Sequence, residues 1–215
     1  MAVVYLLLAG GTIAAAQNPP APPPAQPGQP QQGRGGDGGG GRGGRGPIQV
    51  MTLTTTAWSD GGMIPMKHAQ QGRDVSPPLA WSNVPDDTQS FVLIAHDVDA
   101  PIAGGSDDLL HWMLWNIPKD VRSLPEGVMA VSQLPDGTRQ ISGTGPYYRG
   151  PGAPATGPAH HYVFELYALD AMVDVPAVGA PPLAHSPPLT RAAVVAAMAG
   201  HIRAKGVLVG LYKNP

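Results

Sequence analysis

The stretch QNPPAPPPAQPGQPQQGRGGDGGGGRGGRGP, Gln17 to Pro47, limits what this chain can fold into. It holds 8 Pro and 11 Gly in 31 residues and almost nothing apolar. No burial there offsets the entropy of ordering the backbone. Its first part favours extended polyproline geometry and its second a loose coil, so residues 17–47 read as a tether. Any folded unit must come from residues 48–215, which are enough for one good hydrophobic core.

Ahead of the tether, Val3 to Ala9 is an apolar run of signal-peptide length, followed by the small residues Ala14, Ala15 and Ala16 of a cleavage site. No Lys or Arg precedes the run, and the competing reading is an ordinary apolar N-terminus. Residues 1–16 are therefore expected to be a signal peptide, with the mature chain starting near Gln17 and a periplasmic or secreted location. A spanning helix needs about 20 apolar residues, and Gly10, Gly11 and Thr12 interrupt this run too early, so no transmembrane segment is expected.

The net charge of -2, with 13% charged residues, supplies no long-range field for a nucleic-acid or membrane partner. The Arg-Gly pieces resemble RNA-binding segments, but only Arg34, Arg42 and Arg45 carry positive charge, Asp37 opposes them and no aromatic is interleaved. No nucleic-acid partner is expected. The absence of Cys excludes disulfides, thiolate catalysis and Cys-based metal sites.

From Ile48 onward, short apolar runs alternate with turn formers. SFVLIAH is continuous, as in a strand covered on both faces. LLHWMLWNIP alternates His111, Met113, Trp115 and Ile117 against Trp112, Leu114 and Asn116. HHYVFELYALD alternates Tyr162, Phe164, Leu166 and Ala168 against Val163, Glu165, Tyr167 and Leu169. GVLVGLY is a last strand, broken by Gly210. SPPLTRAAVVAAMAGHIRAKG predicts one late helix, capped by Thr190, with basic residues in its last turn and Gly206 as its stop. The pattern predicts a mostly β domain, and sandwich and barrel both fit it.

Polar residues gather at HDVDAP, at His111 14 residues after Asp97, in the Gly/Pro loop from Gly143 to His160, and in GRDVSPPLAW. An antiparallel return after HDVDAP brings Asp97 near His111 at the rim of a sheet, where loops converge. Gly143 and Gly145 bracket Thr144 in a stretch whose backbone N–H groups suit an anion nest. Singly, each signal has an ordinary structural reading: Asp before Ala-Pro forms turns, and a lone His opening a strand is commonly a packing residue.

With these residues assembled, the chain resembles the phosphatidylethanolamine-binding protein family, in particular its bacterial Raf-kinase-inhibitor-like branch. The family's Asp-Pro-Asp-Ala-Pro block stands here as DVDAP (97–101), its His-Trp strand as HWMLWN (111–116), and its Gly-x-Gly-Pro loop as GTGP (143–146) running to HHY (160–162). WSDGGMIP, VSPPLAW, LYALD and the C-terminal stretch also fit, so the match runs over roughly residues 51 to 212. The resemblance implies a central antiparallel β-sheet packed by a smaller sheet, with few helices, one of them near the C-terminus. It also implies a small anion pocket for phosphate or a phospholipid headgroup. Carried over position by position, that pocket uses Asp97, Asp99, Pro101, His111, Gly143, Gly145, Pro146, His160 and Tyr162. Three features depart from the pattern: Val98 replaces Pro, His161 replaces Arg, and the loop between Pro146 and His160 is proline-rich.

An anion pocket holding two aspartates is explained if a carboxylate accepts a proton from one imidazole nitrogen and turns the other N–H toward the ligand. Protonated imidazole binds anions better, so phosphate or phosphorylethanolamine is expected to bind more tightly at about pH 5.5 than at about pH 8. The leading expectation is a non-catalytic binding protein, with a regulatory role among the options and no cofactor or metal. The alternatives are an enzyme using His111, His160 and Asp97 as acid and base, and a protease or kinase inhibitor acting through the 147–157 loop. Two His and two Asp also suit zinc, without support from the resemblance. A protein partner and a homodimer stand among the partner expectations.

Overall fold

The apolar run at residues 91–95 is buried on both faces, and this arranges the rest of the domain. In the computed structural model, residues 48–102, 105, 107–177 and 186–215 are described. The expected signal peptide and tether lie outside them. The strands are β1 (Gln49–Val50), β2 (Thr52–Thr54), β3 (Gly62–Met63), β4 (Leu79–Ser82), β5 (Ser90–Pro101), β6 (Asp108–Pro118), β7 (Ser123–Leu124), β8 (Arg139–Ile141), β9 (His160–Leu169) and β10 (Ile202–Tyr212). Among the described residues one α-helix, α1 (Pro187–Met198), precedes β10, and Met66–His68 forms a 3-10 turn.

The main sheet has the order β1-β10-β9-β5-β6-β8, with β3 also on β10, and a smaller antiparallel sheet has the order β2-β4-β7. The long strands pair antiparallel, while the short β1 and β3 run parallel to β10. The smaller sheet contributes Leu53, Leu79, Trp81 and Leu124 to a core shared with Phe91, Leu93, Trp112, Leu114, Phe164 and Leu166. On the other face, Val194 and Met198 of α1 join Val92, Ile94, Met113, Trp115 and Leu169. The expected two-sheet arrangement is therefore present, and a helix covers the second face.

β9 alternates as its sequence requires, with Tyr162, Phe164, Leu166 and Ala168 in the inter-sheet core. β6 does not. Ala95 pairs with Trp112 but His96 with Leu110, so His111 is the extra residue of a β-bulge. A second irregularity falls at Asn116, whose φ of 59° is left-handed. Asn116 braces this kink by donating to Val173 O at 3.0 Å and accepting from Val173 N at 2.8 Å. Ile117 consequently joins Trp112 and Leu114 in one core, opposite Met113 and Trp115. The expected grouping of His111 and Ile117 with Met113 and Trp115 fails because a bulge shifts the two-residue period.

The helix boundaries also differ from expectation. Ser186 occupies the N-cap position, Pro187 and Pro188 begin the helix, and Thr190 is buried within it. The chain turns at Gly200, whose φ is 91°, and Arg203 and Lys205 already belong to β10. Gly206 and Gly210 are strand residues. A Cβ at Gly210 would lie 2.5 Å from Ile64 Cγ1 and 3.0 Å from the Trp58 indole nitrogen, so this glycine admits close packing and leaves β10 continuous.

Candidate ligand site

β5 ends its buried stretch at Asp97, which pairs with Tyr162 on β9 and Leu109 on β6. The antiparallel return thus places the start of β6 beside Asp97, as the sequence reading required. Asp97 is 3% exposed, so its carboxylate needs donors to offset lost hydration. It receives the His160 ring through Nδ1 at 2.9 Å and the Asp99 backbone N–H at 3.0 Å. A carboxylate only accepts, so the proton between them sits on His160 Nδ1.

His111 has different partners. Its ring packs edge-on to Tyr162, with centroids 5.0 Å apart. Its Nδ1 donates to the carbonyl oxygens of Arg149, at 2.8 Å, and Gly150, at 3.1 Å. Backbone carbonyls, and not Asp97 or Asp99, fix its tautomer. The opposite nitrogen, Nε2, is buried without a partner. Burial holds the His111 pKa below its ordinary value, opposed more weakly by the Arg149 carbonyl and the charge of Asp97. Burial also raises the Tyr162 phenol far above its usual range, and the Asp97 charge adds to this.

The remaining expected residues lie around this cluster. Asp99 is exposed and turned toward His161, accepting its backbone N–H at 2.6 Å and its Nδ1–H at 2.8 Å. These hydrogen bonds, the backbone one foremost, hold the Asp99 carboxyl below the usual range. His161 thereby takes a partner at the position where the family pattern has Arg. Pro101 ends β5, exposed and paired with Asp108. The N–H groups of Gly143 and Thr144 donate to Leu110 O at 3.0 Å and Ser142 Oγ at 3.3 Å, so these two do not form the expected outward nest. Gly145 lies under Tyr147, whose ring would be 2.4 Å from an added Cβ, and Pro146 is half-buried between them.

Residues that the sequence reading did not assign complete the surroundings. Arg149 and Gly150 act through carbonyls, which carry no side-chain signature. Asp74 accepts the Gly150 N–H at 2.5 Å, and only its place in the GRDVSPP turn marked it. A cavity of about 490 Å³ lies between α1 and the start of β6, lined among others by Ile102, Leu109, Leu110, Pro187 and Val195, and it reaches Gly143 of the expected site. Its Arg191 is already paired with Asp108 at 2.7 Å, whereas in the Asp97 cluster His111 Nε2 is buried without a partner.

Around Asp97, each imidazole commits Nδ1 to an acceptor. Nε2 therefore offers a lone pair when the ring is neutral and donates only when the ring is protonated. With both rings neutral, Asp97 gives the cluster a charge of −1, and with both protonated the sum is +1. The arrangement suits a group whose anionic oxygens meet imidazolium N–H.

The model of the phosphatidylethanolamine-binding protein family matches residues 54–213. The UPF0098 protein of Methanothermobacter thermautotrophicus is 40% identical over 167 residues, covering 76% of this chain and 99% of that protein. The UPF0098 protein of Aquifex aeolicus is 35% identical over 168 residues, covering 77% and 90%. Among solved structures, a putative phosphatidylethanolamine-binding protein homologue of Chlamydia trachomatis superposes with a TM-score of 0.63 at 31% identity, covering 78% of this chain and 99% of that one. The Escherichia coli protein YbcL gives a TM-score of 0.63 at 25% identity, with 77% and 99% covered. Fold, motif order and sequence agree over the same residues, and the chain belongs to the phosphatidylethanolamine-binding protein family.

Proposed function

We propose that this protein binds small anions of the phosphate class, free or as a phospholipid headgroup, at the cluster of Asp97, His111, His160 and Tyr162, without turnover. The observation that carries this reading is the pair of imidazoles anchored through Nδ1 beside one buried carboxylate. Proton uptake turns Nε2 of the partly exposed His160 into a donor for phosphate oxygens, and the buried Nε2 of His111 serves as one only where the ligand reaches inward to it. Asp99, exposed at the rim and held ionised by His161, is placed to attract an amine such as that of phosphorylethanolamine. Family membership supports a binding role.

Calorimetric titration with phosphate and with phosphorylethanolamine tests the reading. Saturable binding is expected, with the ligand recovered unchanged and affinity reduced by roughly 1–3 kcal/mol in His160→Ala. Equal affinity in that variant overturns it. A second reading, an acid–base enzyme, is favoured by the Asp97–His160 pair, in which a carboxylate orients an imidazole. Turnover of phosphoesters, esters or lactones that His160→Ala abolishes would establish it. We also propose export of the mature chain to the periplasm or medium, to be tested by N-terminal sequencing, with a start near Gln17 expected.

A further inference from the structure

His111 depends on a segment far from it in sequence. Its Nδ1 reaches the carbonyls of Arg149 and Gly150, 38 and 39 residues away. That peptide is held on several sides. Asp74 Oδ1 accepts the Gly150 N–H at 2.5 Å, Gln70 Nε2 donates to Gly150 O at 2.7 Å, and Arg149 N–H returns to His111 O at 3.0 Å. No side chain fits at Gly150, because a Cβ would lie 2.1 Å from His68 O and 2.6 Å from Asp74 Oδ1. Asp74 itself has a left-handed φ of 54°. Such a conformation persists in a non-glycine residue where its surroundings over-determine it.

We propose that Asp74 is a positioning residue for His111. By holding the Gly150 peptide, it aims two carbonyls at Nδ1 and locks the imidazole as the Nδ1–H tautomer. Nε2 is left as the nitrogen that must gain a proton before it can donate. The tie to ligand affinity rests on the function proposed above; the tautomer lock does not.

Two variants separate the acceptor from the backbone strain. Asp74→Gly adopts the left-handed conformation freely and lacks the acceptor. Asp74→Asn tolerates that conformation and retains a carbonyl oxygen for the Gly150 N–H. The readout is the pair of ring-nitrogen shifts of His111 in ¹⁵N NMR at neutral pH, together with titration by inorganic phosphate. The wild type and Asp74→Asn are expected to show the Nδ1–H tautomer alone, and Asp74→Gly a mixture with Nε2–H. Phosphate affinity should fall roughly three- to tenfold in Asp74→Gly, as for one lost hydrogen bond. An Nε2–H tautomer in the wild type overturns the proposal, and so does a pure Nδ1–H tautomer in Asp74→Gly. Asn behaving as Gly does overturns the route through the Gly150 N–H. If the tautomers follow expectation while the wild type binds no phosphate, the positioning stands and the proposed ligand class fails.

Discussion

Asp97 Oδ2 lies 2.9 Å from His160 Nδ1, although 63 residues separate them in the chain. The carboxylate is buried and the imidazole is one-fifth exposed, so the pair couples the sheet interior to the rim. Removing the carboxylate orphans both the His160 ring and the Asp99 N–H. Asp97→Ala should therefore lower stability by about 1–3 kcal/mol. Urea unfolding checks this: the midpoint should fall at constant m-value, and an unchanged midpoint would contradict it.

His111 makes stability depend on pH. Burial holds its folded pKa below the unfolded value, so on acidification the unfolded chain takes up this proton first. Its contribution is complete above the unfolded value of about 6.5 and is lost as pH falls from there toward the folded value. His111→Gln removes the titration. Thermal midpoints of the wild type should drop more steeply than those of the variant as pH is lowered below about 6.5. Parallel curves would contradict this assignment.

Gly150 has no room for a methyl group against His68 O and Asp74 Oδ1. Gly150→Ala should cost about 1–3 kcal/mol through overpacking and disturb His111 as well. Retention of full stability in chemical unfolding would show that the segment yields.

On the other face, Arg191 ties α1 to Asp108, which also contacts His96. Burial alone would raise the Asp108 pKa, but hydrogen bonds from His96 and Arg191 outweigh it and hold the carboxyl below the usual range. The stabilisation is therefore present above the ordinary carboxylate pKa and lost as pH falls through the folded value. Arg191→Met should destabilise by about 1 kcal/mol at neutral pH, a difference that shrinks in acid. Denaturation of both proteins at neutral and acidic pH checks this, and a pH-independent difference would contradict it.

Burial on both faces of β5 and alternation in β9 were legible because apolar side chains report directly on what they face. β6 was misread at its bulges. A bulge is set by pairing with the neighbouring strand, and neither His111 nor Asn116 announces an extra residue locally. Gly200, and not Gly206, ends the helical region, because its left-handed φ turns the chain into β10, which pairs with β9 from Ile202 onward. At the site, the convergence of Asp97, His111 and His160 followed from strand ends meeting at one rim. The carbonyls that hold His111 did not, since every residue has one and only the fold aims two of them at a ring.

In the proposed binding mode, imidazoles must be protonated before they can donate to an anion. The most direct measurement is calorimetric affinity for phosphate at about pH 5.5 and about pH 8 at fixed ionic strength. Tighter binding at the lower pH, with the difference diminished in both His160→Ala and His111→Gln, is the predicted result. Equal or weaker binding at the lower pH would contradict it.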